Sequence, residues 1–138
     1  MTITLSKAIN VNGAIVDLVT KDKENKLVFT SAIRYRLADA LSSLRHPLEN
    51  YQNRNNELVE KYGKPDAKDP SQKIVLQDAE GWPEFKKEME ALLDEEVDVK
   101  VKPLTEEELS NAETKDYRVD VPSIVALREL GLLVSTKG

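Results

Sequence analysis

From about Thr30 to Tyr62, apolar or aromatic residues return at alternating steps of three and four: Ile33, Leu37, Ala40, Leu44, Tyr51, Leu58 and Tyr62. That spacing predicts one long helix with a stripe along one face, and such a stripe must be buried against another element or another chain. Pro47 removes a backbone donor inside it, so a bend or two abutting helices are expected near His46, with Gly63 as the C-terminal cap. Upstream, Leu5, Ala8, Ile9, Val11, Ile15, Leu18 and Val19 also fall at helical spacing, with Thr4 or Ser6 as cap. Asn12-Gly13 offers a competing hairpin turn, but the strict alternation of a strand fails at Ala14-Ile15-Val16. Helix is the favoured reading, followed by a turn over 21–26 and by Thr30 or Ser31 capping the long helix.

The pattern changes after Tyr62. GKPDAKDPS, residues 63–71, carries two prolines and no apolar residue larger than alanine, which predicts a solvated loop. KIVLQ reads as a short strand, Asp78 to Gly81 as a turn, and Pro83 to about Glu95 as a helix with Phe85, Met89, Leu92 and Leu93 on its buried side. Trp82, just outside, is placed to staple against Phe85. VDVKV, residues 97–101, alternates with period two and is predicted to pair with KIVLQ as an antiparallel ribbon. Thr105 with Glu108 forms a capping box for a short helix ending near Asn111. Asp120-Val121-Pro122 opens a last helix, Ser123 to Leu130, ended by Gly131. The expected fold is therefore α+β and mostly α: a long kinked helix packed on shorter helices, with a small two-stranded ribbon, in a single domain over 1–138. It divides into a helical part (1–62), a loop (63–72) and a strand-helix-strand part with C-terminal helices (73–138).

A chain of 138 residues suits one modest core, and 40% hydrophobic with 33% charged residues is a globular composition. No apolar run approaches the roughly 20 residues that span a bilayer, so no membrane partner is expected. The N-terminus lacks the pattern of a signal peptide and the chain has no cysteine, which removes disulfides, thiolate metal sites and cysteine nucleophiles together. A cytosolic setting, bacterial or viral, is the simplest expectation. Charge is uneven: residues 1–62 hold nine Lys/Arg against seven Asp/Glu, whereas residues 63–138 hold eleven against eighteen, a net −7 in the second half. That half is ill suited to touch nucleic acid, because carboxylates oppose the counterion release that drives such binding. It is either a solvated face or a surface for a cationic partner, with Glu95, Glu96 and Asp98 as the residues that would meet it.

Candidate chemistry is sparse. His46 is the only histidine, Asp94-Glu95-Glu96 and Glu106-Glu107-Glu108 lack the spaced oxygens and glycine of a calcium loop, and no phosphate loop, nucleophile elbow or dinucleotide fingerprint occurs. No enzyme activity, catalytic residue, metal or cofactor is expected. Arg34, Arg36, Arg45 and Arg54, with Tyr35 and Tyr51, form the one basic and aromatic grouping, but their helical phases differ and no reading motif accompanies them, so nucleic acid is a disfavoured partner.

NELVEKYGK, WPEFKKEMEALLDEEVDVKV, TEEEL and the terminal PSIVALRELGLL resemble small uncharacterised helical proteins of tailed bacteriophages, over most of the chain from about residue 30. The resemblance implies a phage origin, in the host cytoplasm or the virion, and carries no catalytic residue. Three readings stay open. The first is a non-enzymatic interaction protein acting in virion assembly or on a dedicated partner, self-association into a homo-oligomer through a coiled-coil-like seam included, with Ile33, Leu37, Leu44, Tyr51 and Leu58 as contacts. The second is an inhibitor of a host enzyme or defence complex acting through the acidic half. The third is a nucleic-acid accessory factor.

Overall fold

The computed structural model describes residues 2–65, 68, 73–76 and 80–135. It is α+β and mostly helical. A short strand β1 (Thr2–Thr4) leads directly into α1 (Leu5–Lys23), whose cap is the Thr4 hydroxyl accepting from the Lys7 amide at 3.1 Å. The hairpin alternative around Asn12-Gly13 is thereby replaced by helix. A short turn over 24–30, with Asn25 in the left-handed region (φ 62°), returns the chain into α2 (Ser31–Tyr62), capped by Thr30. The helix runs through Pro47 as one element rather than as two, although the proline leaves the Ser43 carbonyl without its usual amide. Leu44 is fully buried and Leu48 packs against the core on the other side of the proline, so tertiary packing carries the helix across that gap.

Helix lengths determine the layout. At 1.5 Å per residue, α1 is about 28 Å long and α2 about 48 Å, so α2 outruns its antiparallel partner by about 20 Å. The overhang is covered by α3 (Trp82–Leu93), which also runs antiparallel to α2: the Tyr62 and Phe85 rings meet edge to face at 6.1 Å, and Arg54 pairs with Glu95 at the other end. The Leu5 amide donates to the Glu95 carbonyl at 2.8 Å, so α1 and α3 lie nearly end to end along α2. Trp82 falls inside the first turn of α3 rather than outside it, with Gly81 as cap, and its ring still lies 5.7 Å from Phe85.

Strand pairing departs from expectation. β2 (Lys64–Pro65) pairs with β3 (Lys73–Ile74), whereas β4 (Glu96–Asp98) pairs antiparallel with β1, Thr2 opposite Asp98 and Thr4 opposite Glu96. Among the described residues KIVLQ and VDVKV therefore do not pair. They flank α3, whose twelve residues hold their ends about 18 Å apart, and each takes the strand nearest its own end. The alternation read in VDVKV holds: Val99 is buried and Val97 and Val101 are half-buried, while Asp98 and Lys100 are exposed.

Beyond β4 the chain runs back along α2, where the Lys100 amide donates to the Ser43 hydroxyl at 2.6 Å and the Arg36 guanidinium to the Pro103 carbonyl at 3.3 Å. β5 (Leu104–Thr105) then opens α4 (Glu106–Ala112) through the expected capping box, and α5 (Val121–Glu129) starts at an Asp120 cap. β6 (Leu133–Val134) lies parallel to β5, a pairing of two residues that no sequence pattern announced. Gly131, at φ +75°, makes the left-handed turn that sends Leu132 and Leu133 into the core. Gly63 is needed for a different reason. Its φ is ordinary, but a Cβ would sit 2.3 Å from the Val59 carbonyl oxygen and 3.2 Å from that of Ile74.

Candidate interaction surface

The molecule divides into a body and an arm. The body comprises β1, α1, the turn over 24–30, the first half of α2, the segment from Val99 onward and the C-terminal elements. It holds every fully buried hydrophobic residue among those described except Leu92. Ile33, Leu37, Ala40 and Leu44 face Ala8, Val11, Ile15 and Leu18 there, together with Leu104, Leu109, Leu132 and Leu133. Ile33, Leu37 and Leu44, expected as interaction residues, are thus core residues at 5%, 6% and 0% exposure, because α1 supplies within the chain the partner that their stripe requires.

The arm is the overhang of α2 with the β2–β3 ribbon and α3. From Arg45 to Ala91 no described residue is buried. Tyr51, Leu58, Val59, Tyr62, Trp82, Phe85, Met89 and Leu93 are all half-buried, and Ile74 and Leu76 at the ribbon are exposed. Two helices laid side by side, with no third layer among the described residues, can cover only the inward part of each large side chain. Tyr51 and Leu58, predicted as contacts, belong to this surface. Its aromatic content, Tyr62, Trp82 and Phe85 clustered at the distal end, was readable only once α3 was seen to run back along α2.

Between the two helices a groove of about 360 Å³ is lined by Leu58, Ala91 and Leu92, with Arg54, Glu57, Lys61, Glu88 and Glu95 at its rim. Lys61 stands over the Tyr62 ring at 5.0 Å and 3.6 Å from a Glu88 oxygen. Hydrogen bonding to the Tyr62 side chain, and then the Glu88 charge, raise its pKa above the ordinary ammonium value. Glu88 Oε2 is shielded from solvent yet has no hydrogen-bond partner among the described residues. A carboxylate oxygen in that condition is one donor short.

The acidic residues of the second half are largely engaged by the fold. Glu95 pairs with Arg54, Glu106 with Arg128, and Glu108 with both Arg36 and the Thr105 amide, while Glu113 accepts from the Val119 amide at 2.7 Å. Glu96 is exposed on β4. Asp98 lines a polar groove of about 840 Å³ with Arg36, Asp39, Ser42, Ser43, Lys100 and Lys102, a mixed-charge surface rather than an acidic one. The arginines of α2 are likewise answered: Arg34 makes a bidentate pair with Asp22 at 2.8 and 3.0 Å, Arg45 meets Glu49 at 3.2 Å, and Arg36 and Arg54 hold Glu108 and Glu95. Hydrogen bonding to Arg34 holds the Asp22 carboxyl below its usual range, and hydrogen bonding to Arg36 does the same for Glu108.

His46 is exposed on α2. Among the described residues no group of three or more His, Cys, Asp or Glu is placed to hold a metal ion, and no helix is long and apolar enough to cross a membrane. No family model matches the chain, and no curated protein or solved structure matches it either.

Proposed function

We propose that the chain is a non-enzymatic, phage-encoded interaction protein, working in the host cytoplasm or the virion, and that the α2–α3 arm is the surface that receives its protein partner. The observation that carries this reading is the row of half-buried side chains on the arm, three of them aromatic and clustered, beside a body that satisfies its own core. Aromatic side chains desolvated at the centre of a contact supply most of the energy of typical interfaces. Because the stripe of the body is already covered, the partner is a second copy meeting arm to arm or a virion or host protein.

Light scattering on a sizing column at low and high salt, with Phe85→Asp and the body-surface control Lys115→Glu, tests the reading. Either a salt-resistant oligomer, or a virion or host complex retained in high salt, is expected, lost with Phe85→Asp and kept with Lys115→Glu. A chain that stays monomeric and whose complexes are indifferent to Phe85→Asp contradicts it. The inhibitor reading ranks below, because Glu95, one of its three carboxylates, is held by Arg54. The nucleic-acid reading ranks lower again, since each arginine of α2 faces a carboxylate.

A further inference from the structure

A second feature stands apart from the arm. Between α1 and α5 lies a crevice of about 140 Å³, walled by Ala14 and Leu18 of α1, Leu27 of the turn, and Ala126 and Leu127 of α5. Ala14, Leu18 and Lys21 follow one another at helical spacing on one face of α1, so Lys21 stands at the end of an apolar wall. Two of the five wall residues are alanine, facing positions at which longer side chains would close the space. The volume matches that of an apolar cavity known to accept a benzene ring, about 150 Å³.

The mouth is polar in a particular way. Lys21 is only 23% exposed in its side chain, and its nearest carboxylate among the described residues is Asp17 at 3.8 Å. Asp17 is 64% exposed, so that pair is long and solvated and holds the ammonium weakly. On the other side Lys21 Nζ lies 5.6 Å from the centroid of the Tyr117 ring, which also lines the crevice. The side chain is thus partly shielded from water, with its ammonium set beside a ring and held by one long, solvated ion pair. Charge-assisted hydrogen bonds from an ammonium are among the stronger ones a site can offer.

We propose that this crevice binds a small aromatic carboxylate, the ring seated between Ala14 and Ala126 and the carboxylate on Lys21. Asp17 at the rim swings into solvent when the carboxylate arrives. A neutral ring of the same size enters the same space but gains nothing from Lys21, and an aromatic amine is repelled by it.

Benzoate, toluene and benzylamine titrated into the full-length chain, with the methyl NMR signals of Ala14 and Ala126 as readout, test this. Benzoate is expected to give saturable shifts in the millimolar range, with toluene weaker and benzylamine weakest. Lys21→Met should weaken benzoate at least tenfold and leave toluene unchanged. Ala126→Leu should fill the crevice and abolish the response to both while the chain keeps a cooperative thermal transition. Absence of saturable shifts with benzoate in the unmodified chain overturns the proposal. So do benzoate binding that survives Ala126→Leu and benzoate binding that is indifferent to Lys21→Met.

Discussion

The two halves of α2 belong to one continuous helix and meet different fates. In the first half the side chains at the stripe positions are aliphatic, Ile33, Leu37, Ala40 and Leu44, and each is enclosed by α1 and the C-terminal elements. In the second half the corresponding positions carry Tyr51, Leu58 and Tyr62, separated by polar residues such as Asn55 and Asn56, and among the described residues only α3 and the short β2–β3 ribbon lie against this half. The difference teaches that helix length, not helix formation, creates the candidate surface. α1 ends before α2 does, and a single twelve-residue helix cannot build a core on the remainder.

Substitutions at matched positions separate the two regions. Leu44→Ala in the body should cost about 3 kcal/mol, the usual loss for a fully buried leucine. For 138 residues that lowers the thermal midpoint by roughly 10 °C. Leu58→Ala in the arm should cost about 1 kcal/mol or less, since its side chain is already part solvated. Equal losses at the two sites in calorimetry would erase the distinction. Glu108→Ala removes both the capping box of α4 and the ion pair with Arg36, and should cost about 2 kcal/mol in urea unfolding.

A smaller effect of opposite sign is expected where the two halves join. Pro47→Ala restores an amide to the Ser43 carbonyl and should stabilise the chain by about 1 kcal/mol, read as a higher urea midpoint. If it destabilises instead, the proline is set into a bend on which the arm depends.

The acid limb of the pH dependence also belongs to the body. Asp22 and Glu108 have pKa values lowered in the fold, so their contribution is complete above the ordinary carboxylate range near 4 and is lost as pH falls through the depressed values. Asp22→Asn should therefore flatten the acid limb of the stability curve. It should leave the difference between pH 6 and pH 8 unchanged, as circular dichroism melts across pH can show. Lys64→Glu, exposed on β2, should change the melting temperature by less than about 2 °C.

Local chemistry was legible in the sequence. The Thr105 and Asp120 caps, the Gly131 turn, the alternation of VDVKV and the helical stripes could be read from spacing and residue type, and the Thr4 and Thr30 caps each as one of two neighbouring candidates, with Ser6 and Ser31. What could not be read was which partner each apolar face takes. The stripe of α2 looked like an assembly seam because nothing in its own residues tells an intramolecular cover from an intermolecular one. That decision came from α1, whose Ala8, Val11, Ile15 and Leu18 join it in one core that reaches only as far as Leu48. Strand partners are hidden from the sequence for a related reason. Pairs of two or three residues carry little register information, and the length of α3 set which ends could touch. Parts of the predicted loop and turn, 66–67, 69–72 and 77–79, fall outside the described residues.

Native-state amide hydrogen exchange on the isolated chain tests most directly whether a self-sufficient body carries an arm that awaits its cover. Amides of residues 54–62 and 82–93 should exchange through a partial opening, about 100-fold or more faster than those of residues 8–18 and 33–44. Protection of the whole of α2 at one uniform level, rising and falling with global stability, would show body and arm to be a single cooperative unit and would contradict the account.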